Sequence, residues 1–137
     1  MYTRSKGFTL IELIAVMVIL GIIGITVSSR FTDGEIASVQ ASRDDLLAAL
    51  FFAQQSAMAR DNIAVQVSST SVSVTENGTP IRVHQDAYPL NFASGVQAGS
   101  DLLLTYDKLG RTTAATITLT SGGTSALVTV SDSGYAY

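Results

Sequence analysis

The sequence predicts an α+β fold in which a long N-terminal helix, transmembrane at first and amphipathic beyond, packs on a mostly antiparallel β-sheet head. Three observations predict it: an apolar run from Phe8 to Val27, apolar residues at helical spacing from Val39 to Ala57, and a change to period two from Ile63 onward. With 137 residues in all, one small head remains once a membrane segment is taken away. Charged residues are 14% of the chain and mean hydropathy is +0.35, as expected if one stretch lives in lipid.

The first element reads FTLIELIAVMVILGIIGITV, interrupted by Thr9, Glu12, two glycines and Thr26. At about 1.5 Å per residue such a helix spans roughly 30 Å, the hydrocarbon thickness of a bilayer. Arg4 and Lys6 flank its N-terminal side, so the positive-inside rule keeps the first residues cytoplasmic and sends the head outward. A secretory signal has an apolar core of about 7 to 15 residues, shorter than this one. Glu12 sets the segment apart from a plain single-pass anchor: an acid in an apolar span costs up to about 2.5 to 3.5 kcal/mol near the centre, less toward an end, and usually has a partner. Gly21 and Gly24 carry two readings, glycines tolerated in a membrane helix or small residues that let neighbouring helices approach.

The string Lys6-Gly7-Phe8-Thr9-Leu10-Ile11-Glu12, followed by a hydrophobic helix, resembles the processing motif of type IV prepilins and type II secretion pseudopilins. The resemblance implies cleavage between Gly7 and Phe8 by a prepilin peptidase on the cytoplasmic side, and methylation of the new amino group on Phe8. It divides the chain into a leader, residues 1–7, a transmembrane helix, 8–29, an amphipathic helix, 30–61, and a β-rich head, 62–137, the pilin lollipop. A freed amine on Phe8 has a reference pKa near about 8, and Glu12, one turn along, is the nearest counter-charge. Glu12 meets its own amine or, as the resemblance implies, that of the adjacent subunit during assembly, which would set axial register. The implied partners are other pilin or pseudopilin subunits, the prepilin peptidase and an inner-membrane assembly platform. The implied place is the bacterial inner membrane, crossed once with the head in the periplasm, and then the pilus or pseudopilus. The implied function is that of a structural, minor subunit of a type IV pilus or pilus-like filament, serving filament initiation or adhesion. The alternatives are a minor pseudopilin of a type II secretion system and a DNA-uptake pilus subunit. One departure is that many relatives carry a proline just past the membrane segment, where this chain has Ser28 and Ser29.

In the second element, Thr32 and Glu35 have capping-box spacing and Gly34 weakens a continuous helix, so a kink or restart is expected there. Beyond it Val39, Leu46, Leu50, Ala53 and Ala57 share one helical stripe, bordered by Leu47 and Met58. This is core packing that covers a sheet. Ala41, Asp44, Asp45, Ala48 and Gln55 form the opposite side, facing water or another subunit, and Phe52 falls off the stripe.

In the third, Ile63, Val65 and Val67 alternate with Ala64, Gln66 and Ser68, and Val72 and Val74 alternate with serines and Thr75. Asn77-Gly78 is a hairpin signal before Ile81 and Val83. Further strands are expected at Leu102 to Tyr106, Thr116 to Thr120 and Ala126 to Val130, with turns at Asp107 to Gly110 and Gly122-Gly123. The segment from Arg43 to Arg60, followed by a β-rich end containing Tyr106-Asp107-Lys108-Leu109-Gly110-Arg111, resembles the pseudopilin H and FimT-like branch of the family. The Leu109 to Thr113 string and the terminal Gly134-Tyr135-Ala136-Tyr137 look most like minor pilins of the mannose-sensitive haemagglutinin type pilus.

Other chemistry finds little footing. The chain has no cysteine, hence no disulfide, thiol nucleophile or thiolate metal site. His84, the single histidine, reads as structural, and no cofactor or catalytic residue is expected. Asp101, Asp107 and Asp132 have the oxygens calcium prefers, but their spacing fits turns rather than a compact metal loop. From Ile63 on, Arg82, Lys108 and Arg111 face five acids, Glu76, Asp86, Asp101, Asp107 and Asp132, which argues against nucleic acid as a partner.

Overall fold

The computed structural model describes residues 9–83 and 86–137, with the side chains of residues 24–33, 83, 86 and 87 outside that description. A single helix, α1, runs from Leu10 to Ala59. It starts at Leu10 because Thr9 supplies the cap: the Glu12 amide lies 3.1 Å from the Thr9 carbonyl oxygen and 3.4 Å from its Oγ1, and the Leu13 amide donates to the same carbonyl at 3.2 Å. The restart expected at Thr32 to Glu35 is not there, and the helix continues through those residues. A Thr-x-x-Glu string caps only where no turn precedes it; with a turn in place, the preceding carbonyls take those amides. Gly34 costs about 1 kcal/mol in a helix interior, too little to end one this long.

The helix stops where Asn62 turns to a left-handed conformation, φ 54°. Asn77, φ 52°, is its counterpart in the turn after the second strand. The two are tied together, Asn62 Nδ2 donating to Asn77 Oδ1 at 2.7 Å and the Asn77 amide to the Asn62 carbonyl at 3.1 Å. The chain divides after Gly34 into two compact units. In the first, the apolar side chains from Leu10 to Ile23 are exposed. Among the described residues no helix is long and apolar enough to cross a membrane. The expected span takes in Phe8, which lies outside the described residues, and positions 24–27, whose side chains do.

The second unit, Glu35–Tyr137, holds the strands, all of them antiparallel. One sheet has the order β3-β2-β1-β8, from β1 (Ile63–Ser68), β2 (Ser71–Glu76), β3 (Thr79–Pro80) and β8 (Leu102–Thr105), with β6 (Leu90–Asn91) also on β2. A second has the order β10-β9-β7, from β7 (Gln97–Ala98), β9 (Ala115–Ser121) and β10 (Thr124–Val130). A ribbon of β4 (Arg82–Val83) and β5 (Asp86–Ala87) stands apart. The expected helix on an antiparallel β-rich head is observed, its strands divided between two sheets and a ribbon. The two-residue strands escaped because period two needs at least four residues to show.

All five residues of the helical stripe are buried, in one core with Ile63, Val65, Val67, Val72, Val74 and Leu104 of the first sheet and Ile117, Leu119, Val128 and Val130 of the second. The opposite side, Ala41, Asp44, Asp45, Ala48 and Gln55, is exposed. Ser42 lies on the buried stripe too, spaced three from Val39 and four from Leu46, and its Oγ accepts the Ala93 amide at 2.9 Å. Phe52, off the stripe, is half-buried and stacks on Tyr88 with ring centroids 6.0 Å apart. We expect Leu50→Ala, at a fully buried position, to destabilise the detergent-solubilised full chain by about 2 to 5 kcal/mol in chemical denaturation followed by circular dichroism. A loss under about 1 kcal/mol would mean that the stripe is not the centre of the core.

Candidate functional site

Two regions carry the residues singled out in the sequence. The first is the start of α1. Gly7 and Phe8 lie outside the described residues. Glu12 is the one acidic residue of the first turn, and it is exposed. Between Thr9 and Ile23 it is the one ionisable side chain. The large apolar side chains around it are 42% to 76% exposed, with Val16 and Leu10 at the limits. They point in every direction about the axis, the pattern of a helix enclosed on all sides by lipid or by other helices. Added side-chain bulk at Gly21 would meet nothing within 4 Å in this chain. Any packing use of that glycine is therefore with another chain.

The second region joins three pieces of the Glu35–Tyr137 unit: helix residues 54–58, the loop 107–111 and the turn 131–134. Asp107 builds the loop. Its Oδ1 accepts the Leu109 and Arg111 amides, both at 2.9 Å, and its Oδ2 accepts Arg111 Nε at 2.9 Å. The backbone closes the same loop, Gly110 N to Asp107 O and Asp107 N to Arg111 O, each at 2.9 Å. Gly110 there has φ 74°, a conformation open to glycine. Lys108 Nζ reaches Asp61 Oδ1 at 2.8 Å, just past the helix end. Asp132 Oδ1 accepts the Ala114 amide at 3.0 Å, so it organises a backbone turn as Asp107 does. Asp101 sits apart on the rim of a different groove.

Gln54 holds the pieces together. Its Nε2 donates to the carbonyls of Gly110, 3.3 Å, and Ser133, 3.0 Å. Gly134, φ 81°, presses on the Gly110 carbonyl so closely that a Cβ there would collide with it. Sequence reasoning missed Gln54, because a glutamine at the edge of an apolar stripe carries no signal of what it will bond. Arg111, the basic residue considered for nucleic acid, is paired with Asp107 and shares its shallow cleft with Asp132. Two acids beside one cation leave little to attract a phosphate. His84 lies outside the described residues.

The Arg111 amide first, then the Arg111 side chain and the Leu109 amide, hold the Asp107 carboxyl below its ordinary value. Burial alone pushes the neighbouring Tyr106 hydroxyl up to about 12. Because the folded pKa of Asp107 is depressed, its contribution to stability is present above the unfolded value and lost as pH falls through the folded one. A carboxyl titration by NMR is expected to place the Asp107 midpoint below that of free aspartate, and a midpoint at or above it would contradict the loop geometry. Gly134→Ala is expected to lower the thermal midpoint of the full chain by several degrees, since it combines a positive φ with a backbone collision. An unchanged midpoint would show that loop and turn are not locked as described.

The model of the prokaryotic N-terminal methylation motif matches residues 2–28. A sequence comparison with curated proteins finds no match. Among solved structures, two crystal forms of the type IV minor pilin FimU of Pseudomonas aeruginosa, strain PAO1, are similar to this chain. One has a TM-score of 0.57 at 18% identity, covering 72% of this chain and 86% of the crystallised chain. The other has a TM-score of 0.55 at 17% identity, covering 72% and 90%. At such identities the likeness is one of fold, and the fold is that of a pilin: a helix and antiparallel sheets about one core.

Proposed function

We propose that this chain is a structural subunit of a type IV pilus, a minor pilin, that enters the filament through its apolar N-terminal helix. The observation that carries the proposal is the N-terminal methylation motif across residues 2–28 on a chain with the fold of a minor pilin. In this reading residues 1–7 are a leader, and a prepilin peptidase cuts between Gly7 and Phe8 and methylates Phe8. Residues 8–29 then anchor the chain in the inner membrane, with the β-rich part in the periplasm, until other pilins and the assembly platform take it up. The all-round apolar surface from Leu10 to Ile23 supports this, because it suits lipid before assembly and sister helices after it. The chain contributes contacts to the filament and catalyses nothing.

Glu12 is the counter-charge in this scheme. It lies in the first turn of the helix and four residues after Phe8 in the sequence, a spacing that suits pairing with the new amine of its own chain or of the subunit beside it. The test is an intact mass and N-terminal peptide map after co-expression with a prepilin peptidase. The expected product lacks Met1 to Gly7 and carries one methyl on Phe8; an uncut chain, or cleavage past Val27, would discard the reading. Glu12→Ala is expected to be processed normally yet to enter filaments at least about tenfold less well, the scale of a lost charge pair in an apolar setting. Normal incorporation of that variant would remove Glu12 from the assembly step.

A further inference from the structure

The first sheet ends on β8, and that edge is open. The Tyr106 amide donates to the Ile63 carbonyl at 3.0 Å, just past the end of the β1–β8 ladder. Bonded and non-bonded pairs alternate along two antiparallel strands, so Leu102 and Leu104 also bond to β1, whereas Leu103 and Thr105 turn their amides and carbonyls the other way. The Thr105 carbonyl agrees with this, since it accepts Thr112 Oγ1 on that side at 2.8 Å. Among the described residues nothing else bonds there, which leaves the Leu103 amide, the Leu103 carbonyl and the Thr105 amide open. Sheet edges are ordinarily blunted by charge, proline or cover. At the opposite end of this sheet β3 carries Pro80, and the outer side of β10 is bonded by the chain end, Thr129 to Tyr137 and Ser131 to Tyr135. The four residues of β8, three leucines and a threonine, include neither a charge nor a proline. Beside this edge lies a groove of about 810 Å³. Ala64, Gln66, Leu103 and Thr105 line it on the face turned away from the helix, and Leu103 is 63% exposed. On β2 the same face is buried at Ser73 and Thr75, so the bare part runs from β1 to the β8 edge. Asp101 is the one charged side chain lining the groove, and it forms no ion pair among the described residues.

We infer that β8 accepts an extended segment of another protein as an added antiparallel strand, with a long apolar side chain opposite Leu103 and a lysine or arginine two residues further on, opposite Asp101. The open groups supply the backbone bonds: Leu103 exchanges a pair with the residue facing it, and the Thr105 amide donates a third. In strand addition such bonds give affinity, and pockets for alternate side chains give specificity. Residues directly opposite each other share a face, which puts the apolar side chain in the groove and the cation beside Asp101. The groove is within the range of about 300 to 1,000 Å³ in which ligand sites fall. Thr112, already on the Thr105 carbonyl, ends the ladder there, so the added strand is short. The charge chooses the occupant. A second copy of β8 paired antiparallel about Leu103 would set Thr105 opposite Asp101 and leave the acid without a counter-charge, whereas a basic segment answers it. The inference uses the Glu35–Tyr137 unit alone and stands whether or not the chain enters a filament.

The probe is a capped heptapeptide of threonine and valine that carries phenylalanine at its centre and lysine two places later. It is titrated into the isotope-labelled full chain in detergent and followed by NMR. The expected result is saturable shifts of the Leu103 and Thr105 amide signals and slower exchange of both with solvent, none of it when proline replaces the phenylalanine. Asp101→Lys is expected to weaken binding by about tenfold or more, and a peptide with glutamate in place of lysine to recover it on that variant. Leu103→Pro removes an N–H that β1 does not use, a change an edge strand accepts, and is expected to abolish binding while the Leu102 and Leu104 amides stay protected. Equal binding of the proline peptide, saturable shifts centred elsewhere, or no saturable shift would overturn the inference. Self-association of the chain that Leu103→Pro removes would make a second copy the occupant and overturn it as well.

Discussion

The stripe Val39, Leu46, Leu50, Ala53 and Ala57 is the surface on which both sheets depend. Neither sheet has a second layer of its own, so the inner faces of β1, β2 and β8 on one side and of β9 and β10 on the other bury what they bury through contact with the helix and with each other. The composition of the stripe matters as much as its position. Alanines at 49, 53 and 57 and leucines at 46 and 50 are buried in the same core as the strand side chains, small residues alternating with large ones along the helix. Helix stability at this end comes from that packing, because a helix ending on Ser56 to Ala59 has no basic residue in its last turn to favour it.

Polar contacts do the remaining work of fixing loops to that core, and they come from the edges of the same helix. Ser42 takes the Ala93 amide, Gln54 takes the carbonyls of Gly110 and Ser133, and Arg43 donates to the Leu127 carbonyl at 3.2 Å. Each of these side chains satisfies a backbone group that the sheets leave open. The glycines at 110 and 134 are the steric side of the same arrangement, allowing two turns to close on one amide. Loop 107–111 and the turn 131–134 are thereby coupled.

What could be read in the sequence followed the length over which a pattern repeats. The helical stripe spans five turns and was legible residue by residue, and β1, β2, β9 and β10, each at least six residues long, were legible apart from a residue or two at their ends. The Asn77-Gly78 turn was legible because few dipeptides accept two positive φ angles in a row. The split into two sheets was not, since alternation along a strand says which face is buried and nothing about its neighbour. The Thr32 to Glu35 string misled for a related reason: a cap is a boundary, and a short motif cannot report whether the residues before it are already helical. Of the site residues, Asp107 was legible as a turn former. Gln54, Ser133 and the pairing of Asp107 with Arg111 were not, because they join elements far apart in the sequence.

One helix thus meets two kinds of surroundings. From Leu46 to Ala57 it presents a single stripe to a fixed protein core, whereas from Leu10 to Ile23 it presents apolar side chains on all sides. For that second stretch, lipid and a bundle of like helices are nearly equivalent media, since hydrocarbon is about as apolar as a leucine side chain. Exchange between membrane and filament then costs or yields little through the aliphatic residues, however many there are. Glu12 is different, because a carboxylate in hydrocarbon is costly and a carboxylate beside an ammonium group is not. Glu12 lies in the first turn, where the positive end of the helix dipole favours an anion, which would lower that cost on the proposed route from membrane to filament. On the proposed assembly route, a single side chain that distinguishes the two media would give the transfer a direction and select one register among many that the apolar surface would accept.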